Sequence, residues 1–109
     1  MQISITTSPQ SLETILSGDG TKLGEFLNTL GAKGGGVNGA TPSIVLQADS
    51  ELYFESGIDA NGNAVDANAT GSIKVAAGAT VEIDIHESIN WRTISFIAPS
   101  NTTARLQIA

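Results

Sequence analysis

The chain of 109 residues lacks cysteine and has few charged or aromatic side chains. Without cysteine, it can form neither disulfides nor thiolate metal sites. Charged residues make up 15% of the chain, against about 25% in an average domain, so the surface is expected to be rich in neutral amide and hydroxyl groups. Five basic and eleven acidic residues give a net charge of −6. This balance predicts no nucleic-acid partner and, with no long apolar run, no membrane partner.

The length is that of one domain, but the composition changes near residue 41. We predict an N-terminal segment, residues 1–40, followed by a β domain, residues 41–109. Half of the residues between 31 and 40 are glycine, which is typical of a flexible linker or of a loop that settles against another surface.

The N-terminal segment is predicted to hold one strand and two short helices. Ile3 and Ile5 alternate with polar residues, which indicates a half-buried strand. Ser8 is the predicted cap of the first helix, because Pro9 suits a first helical position that needs no amide donor. Thr21 is the predicted cap of the second helix.

Apolar residues alternate with polar ones from Ser43 onwards, which is the pattern of β-strands. Strands 43–48 and 52–54 are predicted to pair as a hairpin, and residues 57–71 to form a long exposed loop. The predicted fold is mainly β: a small antiparallel β-sandwich or jelly-roll-like domain with one or two short N-terminal helices. Further strands are predicted at residues 73–75, 81–85, 91–97 and 104–108.

Equipment for catalysis is scarce in this sequence. The one histidine, His86, shares a predicted strand face with Glu82 and Asp84. Such a face can contribute to a metal site, but a solvated strand face whose like charges limit edge pairing is the favoured interpretation. No serine lies in a G-x-S-x-G turn. We therefore predict that the protein is not an enzyme.

One loop resembles the start of a calcium-binding loop. Asp59, Asn61 and Asn63 occupy positions 1, 3 and 5 of that pattern, and Asp66 offers a further carboxylate. Position 12, where the pattern requires glutamate, is Thr70. The loop is thus either a weak calcium site or a solvated loop of turn-forming residues, and no other cofactor is predicted.

Four side chains are candidates for contact with a partner. Trp91 and Arg92 belong to the residue types that dominate interface energetics, and Tyr53 is a further aromatic candidate. Arg105 and Arg92 are predicted either to reach a partner or to pair with the surplus carboxylates. A core or rim position is the alternative for Trp91.

The last third of the chain has a recurring order of strands and turns. Ser72–Ile85 indicates a strand, an Ala-Gly turn and a second strand, and it is followed by Trp91–Ile97 and by a final strand in Thr103–Ala109. This order resembles small structural proteins of tailed bacteriophages, in particular head-decoration (cement) proteins. The resemblance implies a β domain that forms trimers over capsid symmetry axes and an N-terminal arm lying along the capsid. Met1–Ala40 matches the arm, although its two predicted helices depart from that pattern.

The sequence therefore leaves two expected functions. The first is a non-enzymatic capsid decoration protein on the virion exterior, which forms a homotrimer and binds the lattice of the major capsid protein. The alternative is a carbohydrate- or surface-binding β-module of a tail fibre or baseplate, with a shallow site around Trp91 and Tyr53.

Overall fold

The computed structural model describes residues 1–33, 42–85 and 91–109, and these form a β-sandwich with two short helices. Helix α1 spans Leu12–Ser17 and helix α2 spans Gly20–Ala32. A 3-10 turn covers Trp91–Thr93. The strands are β1 (Gln2–Ile5), β2 (Gln10–Ser11), β3 (Ser43–Ala48), β4 (Leu52–Glu55), β5 (Ile73–Val75), β6 (Thr80–Asp84), β7 (Ser95–Ile97) and β8 (Thr102–Ile108).

The strands form two antiparallel four-stranded sheets, with the orders β1-β8-β3-β6 and β2-β7-β4-β5. We call them the first sheet and the second sheet. Across the two sheets, β1 pairs with β8, β2 with β7, β3 with β6 and β4 with β5, so the first half of the chain pairs with the second half in reverse order. This pairing is that of one long antiparallel ribbon folded over into two sheets, the arrangement of an eight-stranded jelly roll. The predicted sandwich is confirmed.

The core lies between the sheets and is filled by alternate residues of the strands. Ile44 and Leu46 of β3 are fully buried, as are Leu52 of β4 and Leu106 of β8. Each such side chain contributes roughly 1.5–3 kcal/mol by leaving water. Phe54 pairs across the second sheet with Phe96, and their ring centroids are 6.4 Å apart. The period-two pattern of the sequence therefore identifies the inward face of each strand correctly.

The predicted hairpin between residues 43–48 and 52–54 is wrong. Strand β3 pairs with β6 and β8 in the first sheet, whereas β4 pairs with β5 and β7 in the second. The short connection at residues 49–51 thus crosses from one sheet to the other. A crossing suits the sequence equally well, because it lets the apolar sides of both strands face the same core.

Both helices begin at residues other than those predicted. Ser11, not Ser8, caps α1, and its hydroxyl oxygen accepts the backbone N–H of Thr14 at 3.2 Å. The helix does not begin earlier, after Ser8, because Gln10 and Ser11 form β2 and pair with β7. Asp19, not Thr21, caps α2, because its carboxylate accepts the backbone N–H groups of Thr21 and Lys22.

Helix α2 covers the sandwich with part of an apolar stripe, formed by Leu23, Phe26, Leu27 and Leu30. Phe26 of α2 is fully buried, Leu23 and Leu30 are half-buried, and Leu27 is exposed. The stripe therefore packs on the protein's own core through its central residue.

The predicted strand at residues 91–97 is correct in its second half. Residues 91–93 form the 3-10 turn, and β7 begins at Ser95. The turn buries Trp91 against Phe26 of α2, with ring centroids 4.6 Å apart. Contact with the helix layer thus replaces pairing with a strand over these three residues.

The predicted domain boundary and most of the predicted linker lie in residues 34–41, outside the described residues. The parts on either side share one core, because β1 pairs with β8 and β2 with β7. Residues 1–33 are therefore packed into the sandwich. No helix in the described ranges is long and apolar enough to cross a membrane.

Candidate functional site

The outer face of the first sheet carries a row of polar side chains that crosses all four strands. Antiparallel register aligns Gln2 of β1 with Arg105 of β8, Arg105 with Gln47 of β3, and Gln47 with Thr80 of β6. All four side chains are exposed. Their alternation with the buried residues of the same strands turns them outward, and the pairing brings them side by side.

This row forms the floor of a depression of about 620 Å³, which we call the Arg105 depression. Val45 and Gln107, which are paired in the next row, complete the floor. Neutral amide groups, one hydroxyl group and one guanidinium thus surround a small apolar area, together with Met1, whose terminal ammonium donates to the Leu106 carbonyl at 2.8 Å. The lining residues are Met1, Gln2, Val45, Gln47, Thr80, Arg105 and Gln107.

Arg105 differs from other cations of the structure in its surroundings. Lys22 pairs with Asp19 at 3.9 Å, Lys74 pairs with Glu51 at 2.9 Å, and Arg92 pairs with Glu13. Within the described ranges, no carboxylate lies within ion-pair distance of the Arg105 guanidinium. The predicted pairing of Arg105 with a surplus carboxylate is therefore not observed there, and Arg105, which has five N–H donors, lines the depression.

Three carboxylates, Glu82, Asp84 and Asp49, lie on the same face but outside the depression. Glu82 of β6 is paired with Val45 in the row next to that of Arg105. Asp49 accepts a hydrogen bond from the Thr103 hydroxyl at the other side. The positive charge of this face therefore lies on β8, and its negative charges lie outside the depression.

The outer face of the second sheet carries Tyr53, in a cluster with Glu51 and Lys74. The Tyr53 hydroxyl donates a hydrogen bond to Glu51 Oε2 at 3.1 Å, and Lys74 Nζ lies 2.9 Å from Glu51 Oε1. The bond with Lys74, and then that with Tyr53, lower the pKa of Glu51 below its ordinary value. The same carboxylate raises the pKa of Tyr53 and of Lys74. The three side chains are hydrogen-bond partners of one another, so we interpret the cluster as a structural ion pair on the sheet surface.

Trp91 and Arg92 form a third location, at the helix layer. Trp91 is 6% exposed, which leaves almost no ring surface for a partner. The Arg92 guanidinium lies 4.6 Å from the Trp91 ring centre and pairs with Glu13 of α1. Trp91 is therefore a core residue, the alternative considered for it, and Arg92 closes over it through a cation–π contact. The shallow site predicted around Trp91 and Tyr53 is not brought together.

The loop predicted as a calcium site is organised by its own hydrogen bonds. Asp59 Oδ1 accepts the backbone N–H groups of Asn61 at 2.8 Å and of Asn63 at 3.0 Å. Gly62 adopts a positive φ of 80° at the turn. Asp66 is exposed, and the described residues contain no group of three or more His, Asp or Glu side chains placed to hold a metal. Calcium binding by this loop stays a prediction.

The predicted charged strand face is seen in part. Glu82 and Asp84 are exposed on β6, and Asp84 accepts a hydrogen bond from the Ser43 hydroxyl at 2.7 Å. His86 lies outside the described residues.

Sequence reasoning identified Arg105 but missed its neighbours Gln2, Gln47, Thr80 and Gln107. A signal for them exists, since each is an outward member of an alternating strand. Their assembly into one site depends on pairing between strands that are distant in the sequence. Comparison with known proteins found no matching family, no matching curated protein and no matching solved structure.

Proposed function

We propose that this protein is a non-enzymatic structural protein of a tailed bacteriophage, which forms a homotrimer and decorates the capsid exterior by binding the major capsid protein lattice. The observation that supports this proposal best is the jelly-roll order of the eight strands. Viral capsid and lectin domains share that architecture. A fold by itself assigns no function, so the jelly-roll order supports the proposal by analogy, and the resemblance of residues 72–109 adds to it.

An exposed apolar edge supports self-association. Ile73 lies on the edge strand β5 of the second sheet and is 57% exposed. Sheet edges with exposed apolar side chains are sites of pairing with another chain, and soluble proteins usually protect them with charge or proline. A second copy that covers β5 removes this apolar surface from water.

The test is the molar mass in solution, measured by light scattering over a range of protein concentrations. We expect three times the chain mass of 11.2 kDa. Ile73→Thr keeps the β-branched shape but adds a hydroxyl group, and it should shift the equilibrium towards monomer. Val65→Thr is the matched control, since Val65 is also exposed but lies in the loop. A monomer at all concentrations contradicts the trimer.

Binding to the lattice is tested by co-sedimentation with bare capsids of the phage that encodes the protein. We expect the protein to sediment with the capsids and to saturate at a fixed ratio to the major capsid protein. Protein that remains in the supernatant at every concentration contradicts the decoration function, whatever the oligomeric state.

A second candidate function, carbohydrate binding, is favoured by the Arg105 depression. Amide side chains both donate and accept hydrogen bonds, as sugar hydroxyl groups do. A rigid sheet floor holds them with a fixed spacing. In this function, binding should perturb residues of β1, β3 and β8, not Trp91.

Calcium provides a separate test of the loop at residues 59–66. An ion that binds the native state raises the melting temperature. A rise in the presence of calcium that is abolished by Asp59→Asn supports the predicted site. An unchanged melting temperature contradicts it.

A further inference from the structure

We infer that the Arg105 depression binds an oligosaccharide that carries a carboxylate group, and that Arg105 receives the carboxylate. This inference rests on the second proposed function, carbohydrate binding, and adds the class of sugar. It is carried by a guanidinium that has no carboxylate partner among the described residues and that lies in one cross-strand row with neutral hydrogen-bonding groups.

The size of the depression favours a small ligand over a protein surface. Its volume of about 620 Å³ lies within the range of roughly 300–1,000 Å³ that small-molecule sites occupy. A stable protein–protein interface involves about 20–30 residues on each side, whereas seven residues line the depression. A chain of a few sugar rings therefore fits the site better than a folded partner does.

The neutral groups match the hydroxyl groups of a sugar. Gln2, Gln47 and Gln107 each present two donors and one carbonyl acceptor, and Thr80 adds a hydroxyl group. Val45, which is half-buried between them, offers an apolar surface for the C–H side of a sugar ring. Groups that can both donate and accept suit hydroxyl groups, which do the same.

The charge pattern sets the kind of sugar and its orientation. A guanidinium binds a carboxylate through two parallel N–H···O bonds, and such charge-assisted bonds are the stronger class. Glu82 repels an anion, and it lies on β6, about 10 Å from β8 at the usual spacing of strands. Asp49, held at Thr103, repels an anion from the other side of Arg105. The carboxylate of the ligand is therefore placed over Arg105 and Gln2, and the neutral part of the chain extends over β3 towards β6.

The experiment is a titration with trigalacturonic acid, followed by the backbone amide signals in ¹H–¹⁵N spectra. Its fully methyl-esterified form is the matched ligand, since it has the same sugar skeleton without charge. We expect the acid to shift the signals of Gln2, Gln47, Arg105 and Gln107, and the ester to bind more weakly at the same residues. Arg105→Gln should weaken binding of the acid about tenfold or more, and should bring acid and ester to similar affinity.

Two further variants keep the test decisive. Lys22→Gln makes the same change of net charge on α2, outside the depression, and should leave the affinity for the acid unchanged. Gln47→Ala should weaken both ligands several-fold, because it removes a group that contacts the sugar.

The outcomes separate the inference from the function on which it rests. If acid and ester bind equally at the depression, carbohydrate binding stands and the inferred role of the carboxylate is overturned. If neither ligand shifts these signals at millimolar concentration, both are overturned. Equal losses in Arg105→Gln and Lys22→Gln also overturn the inference, because they would show a general effect of net charge.

Discussion

Ser95 joins the long loop to the second sheet, and its replacement by alanine tests whether one buried hydrogen bond holds that loop. Ser95 is 1% exposed, and its hydroxyl oxygen accepts the backbone N–H of Ala67 at 3.0 Å. Ala67 is equally buried. In Ser95→Ala the Ala67 N–H loses its partner where water has no access. A buried donor left without a partner costs about 1–3 kcal/mol.

Ser43→Ala is the matched control, because it removes a second buried serine hydroxyl from a strand. Ser43 is 7% exposed and donates to the Asp84 carboxylate at 2.7 Å. Asp84 is exposed, so water replaces the lost donor. We therefore expect this variant to lose about 1 kcal/mol or less of the free energy of unfolding.

The assay is equilibrium unfolding in urea, followed by far-ultraviolet circular dichroism. Ser95→Ala should be the less stable of the two variants by at least about 1 kcal/mol, which corresponds to about 4–8 °C in melting temperature. Equal losses in the two variants, or a larger loss in Ser43→Ala, would refute the reasoning that access of water to the orphaned group decides the cost.

Three further predictions concern groups outside the proposed binding site. Trp91, the single tryptophan, should emit at the wavelength of a buried indole and be quenched slowly by acrylamide; emission typical of an exposed ring contradicts its place in the core. Tyr53 should titrate above its ordinary pKa of 10.0 in an absorbance titration, and Glu51→Gln should lower that pKa because the accepting carboxylate is gone. The stability that this hydrogen bond contributes is present below the ordinary pKa of tyrosine. It is lost as the pH rises through the raised pKa of Tyr53. An unchanged Tyr53 pKa in the variant contradicts the assignment. Gly24→Ala on the open face of α2 should stabilise the protein by about 1 kcal/mol, whereas Gly78→Ala should destabilise it by about 1–2 kcal/mol because φ is 78° there; urea unfolding that shows the same sign for both contradicts the backbone argument.

The inward residues of the strands were predictable from the sequence, and strand partners were not. Ile44 and Leu46 are buried as their alternation indicates, because a strand turns successive side chains to opposite faces. Alternation specifies a face but says nothing about which strand lies alongside. The hairpin with Leu52 and Phe54 was therefore a reasonable but wrong choice, since both sheets present the same apolar pattern to one core.

The helix starts show how tertiary contacts override a local signal. Ser8 and Pro9 have the chemistry of a helix start, yet the chain enters α1 at Ser11. Pairing of Gln10 and Ser11 with β7 supplies backbone hydrogen bonds that a longer helix would lack. The residue type shows which residues can cap the start of a helix, and competition with a sheet decides which of them does.

Composition and the period-two pattern are local properties, so they were enough to show that the protein is acidic, poor in charged residues and built from alternating strands. That Trp91 is a core residue and that Arg105 is surrounded by amide groups follows from the packing of distant segments. Gln2, Gln47 and Arg105 are separated by more than forty residues from one another, and the register of β1, β8 and β3 makes them neighbours. Register is set by the fit of the whole core, so no short segment of the chain contains it.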